Sequence, residues 1–105
     1  MSCKISFDYD ETLSETYWQR LARALVDAGV DVHVVTSRCE GSTNVDLWAI
    51  VDYLDIPRDN VHFTEGAYKA ETLSRHNIDI HFDDMEDEIQ VIKVMTKCKA
   101  VSLKI

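Results

Sequence analysis

With 105 residues the chain is one domain, large enough for a single core that buries somewhat under ~70% of the surface exposed by the unfolded form. A formal charge of −8 argues against a broad basic face for nucleic acid or anionic membrane, and no apolar stretch approaches membrane-spanning length. Cys3, Cys39 and Cys98 are odd in number, irregularly spaced and not preceded by a signal peptide, which predicts a reducing, cytoplasmic setting without a disulfide framework or a CxxC zinc site.

The elements alternate along the chain. A strand over 4–8 opens it. Ser14 is then placed to cap a helix whose Leu21, Ala22, Leu25 and Val26 form one apolar stripe, stopped by Gly29 in the left-handed conformation. A second strand covers 31–36, and the loop after it, 37–43, contains Gly41 and Ser42 and is of the kind that holds ligand contacts. A helix over 44–54 carries Val45, Trp48, Ala49 and Tyr53 or Asp52, and Pro57 closes the connection that follows. Next come a strand over 60–64, a helix over 67–76 and a strand over 79–83. A helix over 87–96, with Ile89, Ile92 and Met95 on one face, and a strand over 100–104 complete the order βαβαβαβαβ. That alternation predicts an α/β, three-layer Rossmann-like fold: a five-stranded, mainly parallel sheet with helices on both faces. Trp18 and Trp48 are read as core anchors, with a lid over an open site as the alternative.

In such sheets the binding crevice lies at the carboxyl ends of the strands. The first strand ends in Asp8-Tyr9-Asp10, two carboxylates two residues apart, which a strand's period of two would point the same way. Like charges held that close predict a metal site, an acid/base pair, or both; the plain alternative is a polar strand-to-helix loop. The other ends supply Thr36-Ser37-Arg38, Thr64-Glu65-Gly66 leading to Lys69, and Asp83-Asp84. Carboxylates, a hydroxyl and an ammonium together are what phosphoryl transfer asks for. His33, His62, His76 and His81 have no metal-ligand spacing and receive no role; His81, inside a strand, reads as a satisfied core histidine.

These residues resemble the four motifs of the haloacid dehalogenase superfamily, in its phosphatase branch. Asp8-Tyr9-Asp10-Glu11-Thr12 is similar to the first motif, DxDx(T/V), and Val32-His33-Val34-Val35-Thr36 to the second. Lys69 stands for the third, and Ile80-His81-Phe82-Asp83-Asp84 for the fourth, with Asp87 offering its wider spacing. The resemblance spans residues 4–93. Glu11 departs from it, since many members carry Gly or Asp there, and only a helix fills each place where a cap domain would grow. The resemblance therefore implies a single capless hydrolase domain over 1–105, its site open to solvent or covered by a partner subunit.

It also implies a mechanism. Asp8 would attack phosphorus and Asp10 would act as general acid and then base, which favours phosphate esters over carbon–halogen bonds. Thr36 and Lys69 would stabilise the transferring group, and Arg38 would add a bidentate contact to the substrate phosphate. Mg²⁺ would be held by Asp8, the backbone carbonyl of Asp10, Asp83 and Asp84. The expected partner is a phosphorylated substrate of open class, with nucleic acid confined to a terminal phosphate and oligomers left open. A phospho-accepting regulatory or binding module with little turnover is the alternative.

Overall fold

The sheet is built from β1 (Lys4–Phe7), β2 (Asp31–Thr36), β3 (Val61–Phe63), β4 (Ile80–Asp83) and β5 (Lys99–Ser102), in the order β3-β2-β1-β4-β5. All four pairings are parallel, so the sheet is parallel throughout rather than mainly so. The computed structural model describes residues 3–103; Lys104, expected at the end of the last strand, lies outside the described residues. Four helices alternate with the strands: α1 (Thr16–Asp27), α2 (Val45–Tyr53), α3 (Ala70–Arg75) and α4 (Glu86–Met95). This is the three-layer Rossmann-like α/β fold.

The two faces of the sheet differ in chemistry because strand side chains alternate. Ile5 and Phe7 of β1, with Val32 and Val34 of β2, pack under α1 and α2 in the larger core, together with Ala22, Leu47, Val51 and Leu54. Phe7 stacks on Phe82 across β1 and β4 at 5.0 Å, and Trp18 lies 6.0 Å from Phe82. The opposite face carries a smaller apolar cluster of Val35, Leu73, Ile78, Ile92 and Cys98 under α3 and α4. Its other positions are polar, since the register that pairs Ser6 with His81 puts both beneath these helices. The chain leaves β1 toward β2 and β3, then returns to β4 on the far side of β1. The carboxyl ends of β1 and β4 therefore flank the switch point where crevices form in open α/β sheets.

Several local expectations are corrected. Ser14 does not cap α1, which starts two residues later without a side-chain cap; its Oγ instead accepts the Glu11 N–H at 3.0 Å. The face of α2 turned to the core is Leu47, Val51 and Leu54, while Val45 and Tyr53 are exposed. On α4, Ile89 and Ile92 are buried but Met95 is not, and Glu88 is. Helix α3 begins at Ala70 rather than 67, because Glu65 (φ 54°) and Gly66 (φ 86°) form a left-handed turn first. Gly29 does end α1 as expected, at φ 83°.

Three of the four histidines gather at the amino end of the polar face. His33 Nδ1 lies 3.0 Å from His62 Nε2, and the His62 and His76 rings stack at 3.9 Å. Burial, with the charges of His76, His33 and Arg75 added, lowers the His62 pKa to about 4. The unfolded chain then binds a proton near 6.5 that the folded chain refuses until about 4, so stability is lost as pH falls through that window. Allowing for solvent screening at this half-buried site, the loss is of order 1 kcal/mol, or several degrees in Tm. Thermal melts between pH 7 and 4.5 should show a steeper fall for the wild type than for His62→Gln; parallel curves would remove His62 from the account.

Candidate active site

Asp8 stands one residue beyond β1, and its N–H donates to the Phe82 carbonyl at 2.9 Å, which ties it to the end of β4. The chain then turns within Tyr9–Leu13: Asp10 is extended (φ −65°, ψ 128°) and Glu11 is left-handed (φ 61°). Leu13 N–H closes the turn on the Asp8 carbonyl at 3.1 Å. The strand period that would aim Asp8 and Asp10 together is thus broken between them. Asp8 is buried and faces Lys69, whereas Asp10 is exposed and faces Arg38.

Lys69, only 2% exposed, immediately precedes α3 and spans two carboxylates. Its Nζ donates to Asp8 Oδ1 at 2.8 Å and to Asp83 Oδ2 at 2.7 Å. Burial opposes its charge, but the two carboxylates outweigh burial and raise its pKa, so it is an ammonium. Its own backbone N–H donates to Glu88 Oε1 at 3.1 Å, which pins the residue against α4.

Asp83 ends β4 with every hydrogen-bonding direction but one in use. Oδ2 accepts from Lys69 and from His81 Nε2 at 2.8 Å, and Oδ1 accepts the Met85 N–H at 3.0 Å. A carboxylate only accepts, so His81 carries its proton on Nε2, and Nδ1 accepts from the Ser6 hydroxyl at 2.7 Å. Burial favours the Asp83 acid, yet the His81 hydrogen bond and the charge of Lys69 prevail and hold its pKa at about 2. The reading of His81 as a satisfied core histidine holds, and it has a second consequence: Ser6, His81, Asp83, Lys69 and Asp8 form one continuous hydrogen-bonded chain.

Oxygens of Asp8, Asp83 and Asp84 lie within 4.8 Å of one another. Asp84 Oδ1 is buried without a hydrogen-bond partner. Burial, reinforced by the closeness of Asp84 and Asp83, outweighs the charge of Lys69 and raises the Asp8 pKa to about 8. Three converging carboxylates, one with an orphaned oxygen and one ionised only with difficulty, fit a hard divalent cation. Asp84, not Asp87, completes this cluster; the Asp10 carboxylate lies outside it.

A cavity of about 510 Å³ opens over these residues, lined also by Asp10, Glu11, Ser37, Asp87 and Glu88. Thr36 itself is fully buried, and its Oγ1 accepts the Arg38 N–H at 3.2 Å. The hydroxyl-bearing residue at the end of β2 that lines the cavity is Ser37, whose carbonyl accepts the Gly66 N–H at 2.9 Å. Thr12 is buried too, its hydroxyl directed at Asp8 Oδ2 from 3.4 Å. Arg38 is not free for a substrate: all five of its N–H groups have partners, two on Asp10, two on Asp46 and one on Asn44. A larger cavity, about 580 Å³, opens at the amino ends of β4 and β5 beside Leu73, Ile78 and Met95, but it contains no converging carboxylates among the described residues.

The sequence placed Ser37 at the crevice without giving it a role, and Glu88, Asp46 and the bracing role of His81 were missed. The two-residue spacing of His81 and Asp83 in one strand was a signal for the last of these; the others depend on tertiary approach. Among the described residues no helix is long and apolar enough to cross a membrane. No protein-family model and no curated protein sequence matches this chain, so its chemistry is argued from the site alone.

Proposed function

We propose that the chain is a Mg²⁺-dependent phosphomonoester hydrolase, a capless phosphatase of haloacid dehalogenase type, acting through an aspartyl phosphate on Asp8. The observation that carries this reading is the buried Lys69 bridging Asp8 and Asp83, with Asp84 converging on the same point. A carboxylate nucleophile needs its charge matched and its position fixed, and Lys69 does both. Asp8, Asp83 and Asp84 would hold the cation, with the Asp10 carbonyl read as a further ligand. When bound, the cation would neutralise the approach of a phosphate dianion to Asp8 and supply Lewis-acid stabilisation of the transferring group.

In the first step an Asp8 oxygen bonds to phosphorus as the ester P–O bond breaks, and Asp10 gives its proton to the leaving oxygen. In the second, Asp10 as carboxylate takes a proton from water, the water oxygen bonds to phosphorus, and the Asp8 acyl phosphate bond breaks to release inorganic phosphate. Lys69 follows the charge through both steps. Ser37, in place of the buried Thr36, is the hydroxyl residue at the end of β2 read as a donor to the phosphoryl oxygens. The open mouth suits phosphomonoesters of varied bulk, and the three free cysteines suit a reducing, cytoplasmic setting.

The test is release of inorganic phosphate from a panel of nucleotides, sugar phosphates, p-nitrophenyl phosphate and a 3′-phosphorylated oligonucleotide, with Mg²⁺ and with chelator. Release that depends on Mg²⁺ is the expected result. Tight Mg²⁺ binding with an acyl phosphate that persists for many minutes would favour the phospho-accepting module instead.

A further inference from the structure

Arg38 is held from two sides. Its Nε and Nη2 form a fork on Asp10, at 3.0 Å to Oδ2 and 2.7 Å to Oδ1. Its Nη1 and Nη2 form a second fork on Asp46, at 2.8 Å to Oδ1 and 2.9 Å to Oδ2. The guanidinium carbon also sits 4.8 Å from the centre of the Tyr9 ring, a cation–π contact with the residue between the two motif acids. Asp46 is itself placed by the first turn of α2, just after Asn44. The Asn44 side chain is buried and donates to the carbonyls of Cys39, Glu40 and Ser42, which closes the 39–42 loop against the helix start.

We propose that Asp46 is a positioning residue for Asp10, acting through Arg38. The inference rests on the phosphatase reading, in which Asp10 must meet the leaving oxygen at hydrogen-bond range. Asp10 is on an exposed loop beside a left-handed residue and makes no other side-chain hydrogen bond found among the described residues, so nothing but Arg38 selects its rotamer. Arg38 is a long side chain that would itself sample several rotamers. The Asp46 fork and the Tyr9 ring fix it, and because both forks share one planar guanidinium, the orientation of Asp46 is passed to Asp10. The same saturation explains why Arg38 does not serve the substrate phosphate: its donors are spent on holding the acid.

Proton donation matters most when the leaving oxygen is a poor leaving group, and this separates positioning of Asp10 from a general structural role. With Asp46→Asn, kcat/KM should fall about tenfold or more for alkyl phosphates but less than about threefold for p-nitrophenyl phosphate, whose leaving group needs little protonation. Asp10→Asn should show the same dependence on leaving group with larger losses, and Asp46→Glu should recover part of the alkyl activity. Mg²⁺ affinity by calorimetry should be unchanged in Asp46→Asn. Equal losses on both substrate types, or none, would overturn the assignment of Asp46 while leaving the phosphatase standing. A wild-type chain that releases phosphate from neither substrate would overturn the phosphatase reading, and the role given to Asp46 with it.

Discussion

Lys69→Met is expected to lower the free energy of unfolding by about 3–5 kcal/mol, because it leaves the buried Asp83 carboxylate without its countercharge and takes a donor from Asp8. Asp8 and Asp83 are each nearly inaccessible, and Lys69 Nζ touches both within 2.8 Å. Met fills much of the lysine stem's volume, so the loss reports the ammonium and not a cavity. Left without it, Asp83 keeps the His81 and Met85 hydrogen bonds, while Asp8 keeps a long contact from Thr12 and the neighbouring Asp84. Lys93→Met is the control: Lys93 is exposed on α4, and surface changes of that kind fall within about 0.5 kcal/mol. Urea denaturation without Mg²⁺ checks the pair. Added Mg²⁺ should then stabilise Lys69→Met more than the wild type, since the cation would take up charge that the ammonium no longer balances. A variant within about 1 kcal/mol of the wild type would mean that the buried triad is held by something other than Lys69.

That triad was legible before the fold was known, and the reason is topological. Parallel strands of alternating α/β units put all their carboxyl ends on one edge, and the order that sets β1 beside β4 brings Asp8, Lys69 and Asp83 together there. The strand of 31–36 was readable to the residue because Val32, Val34 and Val35 are β-branched and fully bounded by Asp31 and the Ser37 turn. Asp10 was misplaced for a local reason: the period of two holds only within a strand, and β1 ends at Phe7, the chain already turning at Tyr9 between the two acids. The core face of α2 was not legible because Val45, Leu47, Trp48, Ala49, Ile50 and Val51 leave apolar residues on every side, so periodicity could not choose between faces. Met95 fails on α4: it is the last residue of the helix and stands exposed. Arg38 carried no sequence signal for its partners. Asp46 and Asp10 are 8 and 28 positions away; the 39–42 loop, folded back on Asn44, brings the first to the guanidinium, and the pairing of β1 with β2 brings the second.

The largest effect on turnover belongs to Asp8→Asn, which should lower phosphate release by at least about 10⁴-fold, since a carboxamide is no nucleophile and the covalent route closes with it. Its effect on stability should be small or even favourable in the absence of Mg²⁺. The wild-type Asp8 is buried among Asp83 and Asp84, an arrangement that works against its ionised form, and Asn removes that conflict while its Oδ1 can still accept from Lys69. Lys69 keeps Asp83 as a charged partner, so no buried ion is stranded, unlike the Lys69→Met case. Activity and stability are therefore expected to move in different directions at Asp8 and in the same direction at Lys69. Two measurements on each variant decide it: initial rates of phosphate release with Mg²⁺, and urea midpoints without it. An Asp8→Asn chain that still hydrolyses phosphomonoesters would remove the aspartyl phosphate from the mechanism. One that unfolds several kcal/mol more easily would show that Asp8 is there for the fold, and that the cluster around Lys69 is a structural ion network.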